Sequence, residues 1–179
     1  NQRSNKFDQI IIKEFLHREL ETDFAIVALG GYGRKELFPS SDIDLSIIQL
    51  KPKTKKIEDI KDFIGWLWTL KVKVGHSVRT IKDIEKITKS DLKEFTSYLS
   101  YRIIFCKKNK LPSLNRDLKK ISNKWNKDKF FNAKKLEQNN RFKSFDSTEF
   151  NLEPDLKESP GCLRDFQTAL WILEHCFEI

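Results

Sequence analysis

Two glycines and two aspartates carry the strongest chemical signal in this 179-residue chain. Gly30-Gly31 closes the apolar run Phe24-Ala25-Ile26-Val27-Ala28-Leu29, and after ten intervening residues comes Asp42-Ile43-Asp44-Leu45. On a strand, residues i and i+2 share a face about 6–7 Å apart, so Asp42 and Asp44 point the same way while Ile43 and Leu45 turn to the core. Two carboxylates placed together repel each other, and a hard cation relieves that repulsion. Mg²⁺ held by one or two carboxylates plus substrate phosphates is the usual outcome. Gly30 and Gly31 let a ligand approach the backbone closely and offer N–H groups to phosphate oxygens. Arg34 and Lys35 lie within reach of the same anion. This pattern points to phosphoryl chemistry driven by positioning and charge neutralisation, with no covalent enzyme intermediate.

Those residues need elements to hold them. Phe7 to Leu20 places Ile10, Ile11, Phe15 and Leu16 at helical spacing. The run from Phe24 to Leu29 is short, continuous and apolar, which predicts a buried strand. Residues 34–38 could form one helical turn before Pro39, and Asp42 to Leu50 reads as a second strand. A helical stripe follows from Lys55 to Leu70 (Ile57, Ile60, Phe63, Ile64, Leu67, Trp68), and Val72 to Val78 reads as a third strand. Beyond Thr80 every segment reads as helix: Ile81 to Thr88, Asp91 to Phe105, Leu111 to Trp125 and Lys129 to Phe142. A charged loop at 151–165 with Pro154, Pro160 and Gly161 then leads into a last helix near Leu163. The expected architecture is α+β, with a small mixed sheet followed by a helical extension. Its expected domains are a core at 1–82 with its N-terminal helix and an extension at 83–179.

Composition narrows the classes. The net charge is +8, from 34 Lys and Arg against 26 Asp and Glu, and 14 Phe and 4 Trp supply a core. Acids interrupt the lysines, as in Lys55-Lys56-Ile57-Glu58-Asp59, so nucleic acid is disfavoured as a partner and solvated helix faces explain most of the charge. No run approaches the roughly 18–20 apolar residues of a membrane span, and the expected location is the cytoplasm. Cys106, Cys162 and Cys176 lack zinc spacing. Trp66, Trp68, Trp125 and Trp171 fall on apolar helical faces and are expected in the core. The chain contains no Met, and it is expected to be part of a longer protein.

Strand, Gly-Gly, ten residues and Asp-hydrophobic-Asp-hydrophobic together resemble the signature of the nucleotidyltransferase superfamily, whose fold is polymerase-beta-like. The flanks narrow the resemblance. Residues 28–45 read Ala-Leu-Gly-Gly-Tyr-Gly-Arg-Lys-Glu-Leu-Phe-Pro-Ser-Ser-Asp-Ile-Asp-Leu, residues 74–80 Val-Gly-His-Ser-Val-Arg-Thr, and residues 151–165 Asn-Leu-Glu-Pro-Asp-Leu-Lys-Glu-Ser-Pro-Gly-Cys-Leu-Arg-Asp. All three are similar to the bifunctional PII uridylyltransferase/uridylyl-removing enzymes. The resemblance implies Mg²⁺-dependent transfer of UMP from UTP to a tyrosine of a PII nitrogen-regulatory protein, with release of pyrophosphate. Asp42 and Asp44 would bind the metal, and Gly30, Gly31, Arg34, Lys35 and Ser41 the nucleotide. Uridylyl removal by an HD domain and glutamine sensing by ACT domains would lie outside these residues.

Two departures bear on the site. Many superfamily members carry a third carboxylate on the third strand, where this chain has Val74-Gly75-His76-Ser77-Val78-Arg79. His76 becomes the first candidate to accept the tyrosine proton. Cys162 stands where the family usually has glycine, which predicts local strain if that position needs positive φ. Other readings are a nucleotide-binding regulatory module without turnover, an ATP-using protein adenylyltransferase and an RNA-end nucleotidyltransferase.

Overall fold

The computed structural model describes residues 2–146 and 155–177, and the chain divides into two compact units, 1–121 and 122–179. In the first, α1 (Gln2–His17) leads through a short 3₁₀ turn to β1 (Phe24–Ala28), α2 (Gly30–Gly33), β2 (Ile43–Gln49), α3 (Ile57–Trp68) and β3 (Val74–Arg79). Then come α4 (Ile81–Ile87), α5 (Leu92–Leu99), β4 (Arg102–Phe105) and α6 (Leu111–Ser122). Among the described residues the strands form one sheet in the order β3-β2-β1-β4. β1 runs antiparallel to β2 and β4, whereas β2 and β3 are parallel, so the sheet is mixed and the unit is α+β.

Side chains along β1 alternate between two cores. Phe24, Ile26 and Ala28 pack with Ile43, Leu45 and Ile47 against Ile11 and Phe15 of α1 and Ile60, Phe63 and Leu67 of α3. Ala25, Val27 and Leu29 pack with Ile48 against Ile84, Tyr98, Leu114, Leu118 and Ile121 on the other face. Burial on both faces explains why β1 reads as an unbroken apolar run. Each large side chain buried this way contributes about 1.5–3 kcal/mol.

Local signals set the helix starts near the site. Thr80 and Asp83 form a reciprocal capping box on α4. The Asp91 carboxylate accepts from the Lys93 and Glu94 backbone N–H groups at the start of α5, at 2.8 and 3.0 Å.

The structure corrects the expected elements at three points. β4 lies in a stretch read as helix from Asp91 to Phe105; α5 stops at Leu99, and Ile103 and Arg102 pair with Val27 and Ala28 of β1. The helical turn expected at 34–38 instead sits on the glycines themselves, as α2. Trp68, expected in the core, is 62% exposed.

The second unit contains α7 (Lys127–Asp146) and α8 (Leu163–Ile172), which continues as a π turn, Leu173–Phe177. Buried Lys134 lies 4.6 Å over the Trp171 ring and donates to Glu137 at 2.7 Å. Arg141 pairs with Asp165, which also accepts from Gln138 and the Gly161 N–H. Of the charged loop, residues 151–154 lie outside the described residues. The rest is tied down by Asp155, which accepts from the Lys157 and Glu158 N–H groups, and by the Glu158–Arg164 ion pair. Cys162 is unstrained: its φ is −93°, and the positive φ of this loop, +80°, falls on Gly161. Among the described residues no helix is long and apolar enough to cross a membrane.

Candidate active site

The two aspartates stand where β2 begins. Asp42 and Asp44 are both exposed, and the strand between and beyond them buries Ile43 and Leu45. Asp44 shares its face of the sheet with Ser46 and Ile48, and Tyr98 of α5 covers that face by a 2.8 Å hydrogen bond to Ser46.

Glycines frame the Asp44 carboxylate on both sides. A Cβ on Gly30 would lie 3.4 Å from Oδ2, and a Cβ on Gly75 would lie 2.6 Å from Oδ1. Gly75 is the β3 partner of Asp44 in the parallel register. Position 75 has no side chain, and the Asp44 carboxylate fills the space that one would take. Gly30 has a φ of +54°, where an L side chain is strained. The turn is stitched to β2 by the Leu29 N–H, which donates to the Asp44 carbonyl at 3.0 Å.

α2 is short, and distant residues hold it. The Arg102 guanidinium on β4 donates to the Tyr32 and Gly33 carbonyls at 3.2 Å each and forms a two-point ion pair with Asp8 of α1 at 2.7 and 3.1 Å. The Tyr32 hydroxyl donates to the same carboxylate at 2.6 Å. Burial, together with Asp8 beside it, pushes the Tyr32 phenol far above its ordinary range, so it stays a donor. Gly33 is equally constrained: a Cβ there would fall 1.9 Å from the Ser100 carbonyl oxygen.

The remaining expected residues fall into four groups. Gly30 and Gly31 open α2 beside Asp44. Arg34 follows, its Nε 2.7 Å from Glu36 and its Nη1 3.4 Å from Ser100 Oγ, and Lys35 adopts a left-handed φ of 61°. Ser41 closes the 38–41 turn just before Asp42, its hydroxyl accepting from the Phe38 N–H at 3.1 Å. His76 is not brought to the carboxylates. It pairs with Leu45 in the register, one residue out of phase with Asp44 and Gly75, so its imidazole leaves the sheet on the α3 face. There it meets Trp68 edge-on, with ring centroids 5.6 Å apart.

Several residues of this region escaped the sequence reading. On the Asp44 face, Gly75, Ser77 and Arg79 of β3 and Lys93, Glu94 and Ser97 of α5 line an open cleft of about 430 Å³ that reaches Asp44. Arg79 forms a two-point pair with Glu94 at 2.7 and 3.0 Å, which holds its guanidinium more firmly protonated still. A pair 15 residues apart leaves no periodic trace in sequence, although the hydrophilic end of β3 was a signal. Among the described residues no three His, Cys, Asp or Glu side chains gather as a metal-holding group. The donor set here is two hard carboxylates, which suits a cation that completes its shell with phosphate oxygens and water.

Comparison with known proteins agrees with this geometry. A family model described as "GlnD PII-uridylyltransferase" matches residues 129–179, and one described as "Nucleotidyltransferase domain" matches residues 9–124. Bifunctional uridylyltransferase/uridylyl-removing enzymes are similar over nearly the whole chain. That of Haemophilus influenzae is 39% identical over 97% of this chain, and that of Pseudoalteromonas translucida 39% over 99%. The Photobacterium profundum enzyme is 38% identical over 98%. This chain spans about a fifth of the length of these curated relatives, 20% in each case. The four-stranded mixed sheet with its flanking helices is consistent with a nucleotidyltransferase domain of polymerase-beta-like fold. With the domain model covering residues 9–124, the chain belongs to the nucleotidyltransferase domain family.

Proposed function

We propose that this chain transfers UMP from UTP to a tyrosine hydroxyl of a PII signal protein, releasing pyrophosphate. The observation that carries the reading is the Asp44 carboxylate set between Gly30 and Gly75, beside Asp42 and the glycine turn. Similarity to enzymes named uridylyltransferases supports the choice of nucleotide, and the family description that names PII supports the acceptor.

In this reaction the phenol gives up its proton to solvent, its oxygen bonds to the α-phosphorus, the bond from that phosphorus to the bridging oxygen breaks, and pyrophosphate leaves with the electron pair. Asp42 and Asp44 would hold Mg²⁺, which supplies neutralisation of phosphate charge and polarisation of the phosphorus centre when bound. Backbone N–H groups of Gly30 and Gly31 support the phosphates, and Arg34 and Lys35 add positive charge on the leaving-group side. Ser41 fixes the turn that aims Asp42. His76 takes no part, because its ring is on the far face of the sheet.

The experiment is intact-mass measurement of a PII protein after incubation with the chain, Mg²⁺ and either UTP or ATP, with Asp42→Asn plus Asp44→Asn as control. A uridylyl increment that the control abolishes is expected. An adenylyl increment would overturn the nucleotide assignment, and no increment with either nucleotide would overturn the transfer reading.

A further inference from the structure

We propose that the cleft between β3 and α5 receives the acceptor: an extended, tyrosine-bearing segment of the PII protein that lies along the free edge of β3. This deepens the transfer reading and rests on it.

Three independent features converge. The first is the side of Asp44 on which the cleft opens. Phosphoryl transfer places attacking and leaving oxygens roughly in line across phosphorus. Gly30, on the Oδ2 side, opens the turn that would support the leaving pyrophosphate, so the attacking oxygen would arrive from the Oδ1 side. That side is Gly75 and the cleft. Because position 75 has no side chain, nothing there stands between the cleft and the carboxylate.

The second is the lining. Leu29, Leu45 and His76 also border the cleft, and Ser77, Ser97, Lys93 and the Arg79–Glu94 pair supply hydroxyl, ammonium, guanidinium and carboxylate groups. A polypeptide, with alternating donors and acceptors, is served by these polar groups.

The third is the edge. Among the described residues β3 pairs with β2 alone, at the end of the sheet. Its other side offers a row of backbone N–H and C=O groups beside the cleft. An extended segment can add to such an edge by main-chain hydrogen bonds, with alternate side chains turned into the neighbouring pocket. A tyrosine presented in this way from β3 points along the cleft toward Asp44.

The test uses the chain, Mg²⁺-UTP and PII protein, with bulk added inside the cleft at Ser97→Phe and at its exposed mouth at Lys93→Trp. Both variants should raise the KM for PII at least tenfold, with the Kd for Mg²⁺-UTP unchanged within twofold. Retained nucleotide binding also reports that each variant is folded, and Lys93 is exposed enough that its variant leaves the core alone. Weakened UTP binding with an unchanged KM for PII would show that the cleft holds the nucleoside instead, and unchanged values for both would remove it from substrate binding. Either result overturns the proposal. Failure of the unmodified chain to label PII would instead overturn the transfer reading itself.

Discussion

Gly75→Ala separates the site's chemistry from its stability. A Cβ at this position would lie 2.6 Å from Asp44 Oδ1, whereas ordinary contact begins at 3.4 Å, so the carboxylate must move by at least 0.8 Å. The atom that yields is the tip of an exposed side chain and not backbone, so the clash can be relieved without moving the strands. Replacing glycine within a strand also restricts the unfolded chain, which favours folding by about 0.5–1 kcal/mol. The variant should therefore melt at or above the temperature of the parent. Its activity should not survive so well, because a displacement near 1 Å in a catalytic group costs about 10²-fold, equivalent to about 2.7 kcal/mol in the barrier. Initial rates of PII labelling with UTP and Mg²⁺, measured beside thermal melts by circular dichroism, test both halves. Activity within threefold of the parent would refute the argument that Gly75 exists to admit the Asp44 carboxylate. A loss of activity matched by early melting would refute the claim that the fold tolerates the shift.

Other perturbations probe the supports of the site. Gly33→Ala drives a Cβ to 1.9 Å from the Ser100 carbonyl oxygen and should cost about 3 kcal/mol, whereas Gly31→Ala, with its nearest neighbour at 3.6 Å, should change stability by less than about 0.5 kcal/mol. Denaturant titration of the two variants side by side checks the contrast. Arg102→Ala leaves Asp8 without its two-point partner and frees the Tyr32 and Gly33 carbonyls, so urea unfolding should show a loss of about 2–3 kcal/mol. In the second unit, the hydrogen bonds from Arg164 hold the Glu158 carboxyl below the usual carboxylate range, against the opposing effect of burial. A depressed folded value means that this contribution is complete above the unfolded value, near about pH 4.3, and disappears as pH falls through the folded one. Thermal melts from pH 7 to 3 should therefore fall less steeply for Glu158→Gln than for the parent; parallel curves would rule out the linkage.

The parts of this fold legible in sequence are those governed by local pattern. β1 reads as a strand because both its faces are buried, and Asp44 reads as facing away from the core residues Ile43 and Leu45 because a strand repeats every two residues. What escaped depends on contacts between distant residues. β4 has only four residues, at the end of a good helical stripe, and exists because β1 offers it an edge. The helical turn on Gly30–Gly33 is held by Arg102, far along the chain, so local propensity pointed to 34–38 instead. His76 shows the same limit more sharply. The β2–β3 register decides which face it takes, and a slip of one residue would have put it beside Asp44. The Arg79–Glu94 pair, formed across the approach of α5 to β3, likewise has no counterpart in sequence periodicity.

The clamp of Arg102 on Asp8 and on the carbonyls of α2 also sets an order of events during synthesis. The glycine turn is built from residues 30–33, yet the side chain that fixes its end carbonyls is 69 residues beyond Gly33. Until the ribosome has released residue 102, the turn lacks its lock, and its loop-closure entropy stays uncompensated. The two aspartates are therefore in place before the turn that faces them is finished, and the end of α2 is fixed only when β4 docks beside β1.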